Sequence, residues 1–133
     1  MTEISFTLLG RPITKKNSMQ IAYNHATGRM FVKPSNAFES YQEVVGWQLP
    51  HKGERLEGRY NVKCVYYMPT RHKVDLGNLI AATCDILVHY EVLADDNCNI
   101  VVGHDGSRVY YDKAAPRVEV TITELEDEPC SGS

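Results

Sequence analysis

One stretch limits the folds open to this chain more than any other: residues 76–90, which carry apolar side chains at helical spacing between two runs that read as strands. At roughly 100° per residue, Leu76, Leu79, Ile80, Thr83, Ile86, Leu87 and Tyr90 fall on one side, and Asp75, Asn78, Ala82, Asp85 and His89 form a second stripe. A helix with one apolar face must lie on another layer, so this segment calls for a sheet beneath it. Asp75 or Asn78 is placed to cap its start, because a short oxygen-bearing side chain accepts the free N–H groups of a first turn. Past its far end stands Asp95-Asp96. Adjacent carboxylates repel, and they persist when solvated or when a hard cation neutralises them.

The flanking segments supply the sheet. Residues 4–9 read as a strand stopped by Gly10-Arg11-Pro12, since proline lacks the ladder donor. Residues 20–23 and 29–32 flank a turn-rich Asn24–Gly28 insert and read as a hairpin. Ser35 caps a predicted helix that ends near Pro50, with Phe38, Tyr41, Val44, Val45 and Leu49 on its buried face and Trp47 packed in the core. Residues 60–68 read as a strand that ends at Pro69-Thr70. Residues 99–103 and 107–111 read as a strand pair joined by His104-Asp105-Gly106, and 117–123 alternate as a final strand. The order β, hairpin, α, β, α, β, β, β has too few crossovers for a doubly wound sheet. It predicts an α/β (α+β) fold, a single mixed β-sheet with about two helices packed on it.

A length of 133 residues suits one domain, expected over 1–123, with an acidic and polar tail over 124–133 that has little to bury. No apolar run approaches the roughly 20 residues needed to span a bilayer, and the N-terminus lacks a charged region followed by a long apolar one. The expectation is a cytoplasmic protein with no membrane partner. Cys64, Cys84, Cys98 and Cys130 show no C-x-x-C spacing, and Cys64 and Cys84 sit in apolar segments as small hydrophobes. The net charge of −3 argues against wholesale nucleic-acid binding. Residues 4–38, however, hold Arg11, Lys15, Lys16, Arg29 and Lys33 and no acid, so the basic N-terminal third suits phosphate. Within it, Thr14-Lys15-Lys16-Asn17-Ser18 has the composition of a phosphate-holding loop or of a solvated lysine turn.

Several motifs fail. Asp95-x-Asn97-x-Asn99 resembles the start of a calcium loop, but Ile100 stands where glycine is needed and Gly106 where the closing glutamate belongs. Glycine-rich phosphate loops, G-x-S-x-G elbows and H-E-x-x-H pairs are absent from the sequence. What remains is a carboxylate cluster beside basic residues, the requirement of a Mg2+-dependent phosphodiesterase.

Those residues carry a resemblance. Arg71-His72-Lys73-Val74-Asp75-Leu76-Gly77-Asn78-Leu79, the following Asp85, and Leu93-Ala94-Asp95-Asp96 resemble the pattern of the RusA family of Holliday-junction resolvases: a basic run, D-L-D-N-L, a helical aspartate and a D-D pair before a strand. The similarity extends from Gly10-Arg11-Pro12 through Asn17 to the last strand. It implies a homodimeric endodeoxyribonuclease, bacterial or phage-encoded, that nicks four-way DNA junctions with Mg2+, Mn2+ being the substitute. Carried over by position, Asp75, Asp95 and Asp96 are the expected metal ligands and Asp85 a further catalytic acid. Lys15, Lys16, Asn17, Arg71, Lys73, Asn78, Arg108 and Lys113 are the expected DNA contacts. Gly77 stands where the family has its second motif aspartate and Ala81 where it has a lysine. Asp105, or Asp112 with Lys113, is the candidate to compensate.

A straight helix over 76–90 would separate Asp75 from Asp95 by about 20 Å. Either the chain doubles back after Tyr90, or Asp75 of one subunit faces the acids of another. Three readings stay open: a junction-resolving nuclease, a branched-DNA-binding protein that has lost cleavage, and a protein-interaction module whose acids are only a solvated face.

Overall fold

The structure, a computed structural model, describes residues 3–14, 19–34 and 36–126. Its elements are β1 (Glu3–Leu9), β2 (Met19–Asn24), β3 (Arg29–Pro34), α1 (Asn36–Gln48), β4 (Tyr60–Met68), α2 (Leu76–His89), β5 (Val101–Gly103), β6 (Arg108–Tyr111) and β7 (Arg117–Glu124). The expected mixed sheet carrying two helices is present. Ser35, the expected cap of α1, lies outside the described residues.

β7 is the centre of the sheet, antiparallel to β1 on one side and to β4 on the other. Beyond β4 the expected strand pair does not form. β5 pairs with Tyr60 and Asn61, and β6 with Val65–Met68, both parallel to β4, so the two share one edge position and do not form a hairpin. The reason lies between them. The His104–Ser107 turn closes through Ser107 N–H to the His104 carbonyl (3.1 Å), and the Ser107 hydroxyl, buried, accepts the Cys64 N–H (3.0 Å). The turn therefore fills a gap in one interrupted strand. Since β4 and β5 are parallel, α2 is their crossover. β2 and β3 form a separate two-stranded hairpin whose turn is held by the Asn24 side chain, with Gly28 at φ 69°.

Strand alternation assigns the faces. Val62, Cys64, Tyr66 and Met68 of β4, and Val118, Val120 and Ile122 of β7, are buried with Leu8, Phe38 and Val45 and with Leu79, Ile86 and Leu87 of α2 in one core cluster. The intervening Ser5, Thr7, Glu119, Thr121 and Thr123 line the polar face. A buried hydrogen bond ties α2 to β4. Thr83 Oγ1 donates to the Leu79 carbonyl (3.1 Å), so the Tyr66 hydroxyl must be the donor across the 2.6 Å contact with Thr83. The Gln48 side chain satisfies both backbone groups of Leu9 on the sheet edge, at 2.7 and 3.0 Å.

Three side-chain expectations change. Trp47 is 82 % exposed and Val44 52 %, because α1 turns Phe38, Val45 and Gly46 inward instead. Ala82, placed by periodicity on the polar stripe, is buried, since α2 is covered on more than one side. Cys64 and Cys84 are buried as expected, and burial pushes the Cys64 thiol up to about 12 and raises that of Cys84. β7 continues through Glu124. Leu125 N–H donates to the Arg59 carbonyl and the Arg59 guanidinium to the Glu126 carbonyl, while the tail from 127 lies outside the described residues.

Candidate active site

Asp75 is the N-cap of α2. Its backbone is extended (φ −97°, ψ 115°) and its Oδ1 accepts the Asn78 N–H at 3.3 Å. The carboxylate therefore stands at the positive end of the helix dipole.

The far end of α2 shows how the chain returns. Tyr90 is the C-cap, Glu91 adopts φ 58°, Glu91 N–H donates to the Val88 carbonyl and Val92 N–H to the Leu87 carbonyl. That pair of bonds is a Schellman motif, with buried Val92 against Leu87, and it reverses the chain. The returning segment is then clamped to residues 55–56: Arg55 N–H to the Glu91 carbonyl (2.8 Å), Leu56 N–H to the Val92 carbonyl (3.0 Å) and Ala94 N–H to the Leu56 carbonyl (3.0 Å). Of the two ways to cover 20 Å, the chain itself doubles back. Asp96 consequently lines one cavity of about 290 Å3 with Gly77, Ile80, Ala81, Cys84, Val101 and His104.

The two adjacent acids have different surroundings. Asp95 Oδ1 accepts the Asp96 N–H at 2.7 Å and Oδ2 accepts the Asn97 side-chain amide at 3.1 Å, and these bonds hold its carboxyl below the usual carboxylate range. Asp96 is displaced upward, first by partial burial, then by its neighbour Asp95 and the charge of Asp85. Asp95 thus shapes the turn, and Asp96 is the acid that the local field crowds. Asp96 lies within the influence of Asp85 and Asp95, while Asp75 lines a different groove, and no three His, Cys, Asp or Glu side chains among the described residues are grouped so that they could hold a metal ion by themselves.

Gly77 and Ala81, the two positions that depart from the family pattern, both line this cavity. A Cβ on Gly77 would stand 3.2 Å from Asp75 Oδ1, and Gly77 lines the same cavity as Asp96. Of the compensating candidates, Asp112 has its carboxylate engaged elsewhere. Asp112 accepts the N–H groups of Ala114 and Ala115 and pairs with Arg117 at 2.9 Å, which holds its carboxyl low. Asp105 is bound through both backbone groups to the Asn61 side chain. The neighbouring His104 is the residue that reaches the cavity. Its Nδ1 stands 2.9 Å from the Val62 carbonyl, an acceptor only, so Nδ1 carries a hydrogen and donates it there. Sequence reasoning read His104 as part of a turn signal, and no spacing marked it as a pocket residue.

Basic residues border the acids. Lys73 and Thr14 line a groove with Asp75, while Arg71, His72 and Lys113 line a second with Pro69, Thr70 and Tyr111. Arg71, Lys73 and Lys113 form no ion pair with another described residue. Arg108 is exposed, with its guanidinium on the Ser107 carbonyl, and Asn78 is half-buried in the first turn of α2. Lys15, Lys16 and Asn17 lie outside the described residues. A family model described as endodeoxyribonuclease RusA matches residues 10–123. No curated protein matches the chain.

Proposed function

Because the chain belongs to the RusA endodeoxyribonuclease family, we propose that it resolves four-way DNA junctions by paired hydrolysis of phosphodiesters, acting as a homodimer with Mg2+. The observation that supports this most directly is the return of Asp96 to the first turns of α2, in one cavity with Gly77, while Asp75 at the start of the same helix lines a groove with Lys73. The donor set suits the cation. Mg2+ is held by one or two carboxylates, with waters and substrate phosphate oxygens completing its shell, so a closed protein cage is not required. Asp75 and Asp96 are the residues that would hold it, with Asp85 and Asp95 adding to the negative field. When bound, the cation supplies Lewis-acid polarisation of the scissile phosphate and favours deprotonation of the attacking water.

The chain's own groups do the rest. Lys73 and Arg71 hold backbone phosphates next to the acids, so that the scissile group is oriented before reaction. The Asp95 turn fixes the direction of Asp96, and the cap bond to Asn78 fixes Asp75. Two copies related by a two-fold axis would present two identical sites to a symmetric junction.

A second reading, junction binding without cleavage, is favoured by the missing side-chain functions at Gly77 and Ala81. One experiment separates the two. A synthetic immobile four-way junction is incubated at low salt with and without Mg2+, beside linear duplex, using the wild type, Asp75→Asn, Asp96→Asn and Gly77→Asp. Paired nicks that need Mg2+ and both aspartates support the nuclease, with Gly77→Asp faster than wild type. Metal-independent binding with no nicks in the wild type, and nicks restored by Gly77→Asp, supports the second reading. Failure to distinguish junction from duplex overturns both.

A further inference from the structure

β6 is an edge strand with unusual side chains. It pairs with β4 alone, and all four of its residues are exposed, including Tyr110 at 52 % and Tyr111 at 40 %. Exposed tyrosines on a sheet edge need a reason, because an edge with apolar side chains invites unwanted pairing.

Both rings are braced. Tyr110 packs on Tyr67 with centroids 5.6 Å apart and a tilt of 31°, and Tyr67 carries the Arg117 guanidinium 3.8 Å from its centroid. Arg117 is fixed in turn by Asp112 and Glu119. Tyr111 holds the Arg71 guanidinium 4.2 Å from its centroid. The two rings line a groove of about 350 Å3 with Arg71, His72 and Val109, and the adjoining groove adds Lys113. The lining is therefore both aromatic and cationic.

The occupant follows from that combination. Rings that accept a flat partner, next to cations with no ion pair among the described residues, match the way unpaired nucleic acid is bound: phosphates to the cations, bases to the rings. A peptide would meet the ring but leave the cations unneutralised unless it were acidic. In intact duplex the bases are stacked inside and cannot reach a ring. We propose that Tyr110 and Tyr111, which alternate to opposite sides of β6, offer stacking rings to nucleobases left unpaired at or beside the branch point, with Arg71 and Lys113 on the flanking phosphates. This rests on the reading of the chain as a junction-binding protein. It adds a base contact to what would otherwise be recognition through backbone and shape.

The test uses the full-length chain in chelator, so that cleavage plays no part. A four-way junction carrying 2-aminopurine at the branch point is titrated with wild type and with Tyr110→Ala, Tyr111→Ala, Tyr110→Phe and Tyr111→Phe, each checked for an unchanged thermal transition. The expected result is quenched emission with wild type, about tenfold weaker binding and lost quenching in the alanine variants, retention in the phenylalanine variants, and equal duplex binding by all. Unchanged junction binding and quenching in both alanine variants would overturn the stacking role while leaving junction binding intact. So would equal losses in the alanine and phenylalanine variants, which would assign the effect to the hydroxyls. Loss of self-association with junction affinity unchanged would make β6 a protein contact and overturn it too. A wild type that binds no branched DNA would remove the underlying reading together with the stacking role.

Discussion

At the residue scale, Asp96 carries the clearest physical signature, and its sign can be worked through. Burial and the charges of Asp95 and Asp85 raise its carboxyl above the ordinary value, so the folded chain binds this proton more tightly than the unfolded chain. Stability therefore falls as pH rises from the ordinary carboxylate value through the raised one. Asp95 and Asp112 have the opposite sign: both are held low, so their contribution is present above the ordinary value and lost as pH falls through the folded one. Asp96→Asn is expected to raise the melting temperature at about pH 7 without metal, with the difference vanishing towards about pH 3. Mg2+ should stabilise the wild type more than the variant. Thermal scans across pH, with and without Mg2+, check both statements, and a variant less stable than wild type at pH 7 would contradict the first.

At the scale of elements, two contacts decide how the helices sit. A Cβ on Gly46 would come 2.4 Å from the Tyr90 ring, whose hydroxyl donates to the Gln42 carbonyl at 3.1 Å, so the start of the chain return is pressed onto α1 through the absence of a side chain. Gly46→Ala gains helix propensity but forces that ring out of its place. The net expectation is a loss of about 1–3 kcal/mol, read from denaturant unfolding, despite the better helix former. Tyr66→Phe removes the donor that reaches Thr83 across β4 and α2. Thr83 keeps its bond to the Leu79 carbonyl, so the cost should be about 1 kcal/mol by the same measurement, short of what an orphaned buried hydroxyl would cost.

For the whole molecule, net charge and local charge point in different directions. The chain sums to −3, and binding a polyanion must rely on the clustered Arg71, Lys73 and Lys113. Junction affinity should fall steeply with salt, and Arg71→Ala should reduce the slope of log affinity against log salt by about 1, the loss of one phosphate contact. Filter binding at several salt concentrations provides the slope. A wild-type slope near zero would remove these cations from the interface. Sedimentation of the free chain tests the proposed dimer, and a monomer at concentrations that give paired nicking would contradict it.

Much was legible in the residues themselves. The strand and helix periods, a cap at Asp75 or Asn78, the Gly28 hairpin turn and the buried Cys64 and Cys84 follow from local patterns of hydrophobicity and hydrogen bonding, which act over a few residues. The resemblance of the Asp75 to Asp96 stretch likewise lies in contiguous residues. What the sequence left open depends on distance along the chain. Whether Asp96 returns to Gly77 is decided by a left-handed Glu91 and a clamp to residues 55–56, which no period reports. The pairing of β5 and β6 with β4 rather than with each other is decided by Ser107, whose hydroxyl accepts the N–H of Cys64 in β4, more than 40 residues away in sequence. Trp47 and Ala82 changed sides because a helix face is buried by whatever lies against it, and periodicity names a stripe without naming its neighbours. His104 and the Tyr110–Tyr111 edge became candidates only when the fold set them beside Asp96 and Arg71. Local chemistry chose the elements, and long-range packing chose which side chains meet.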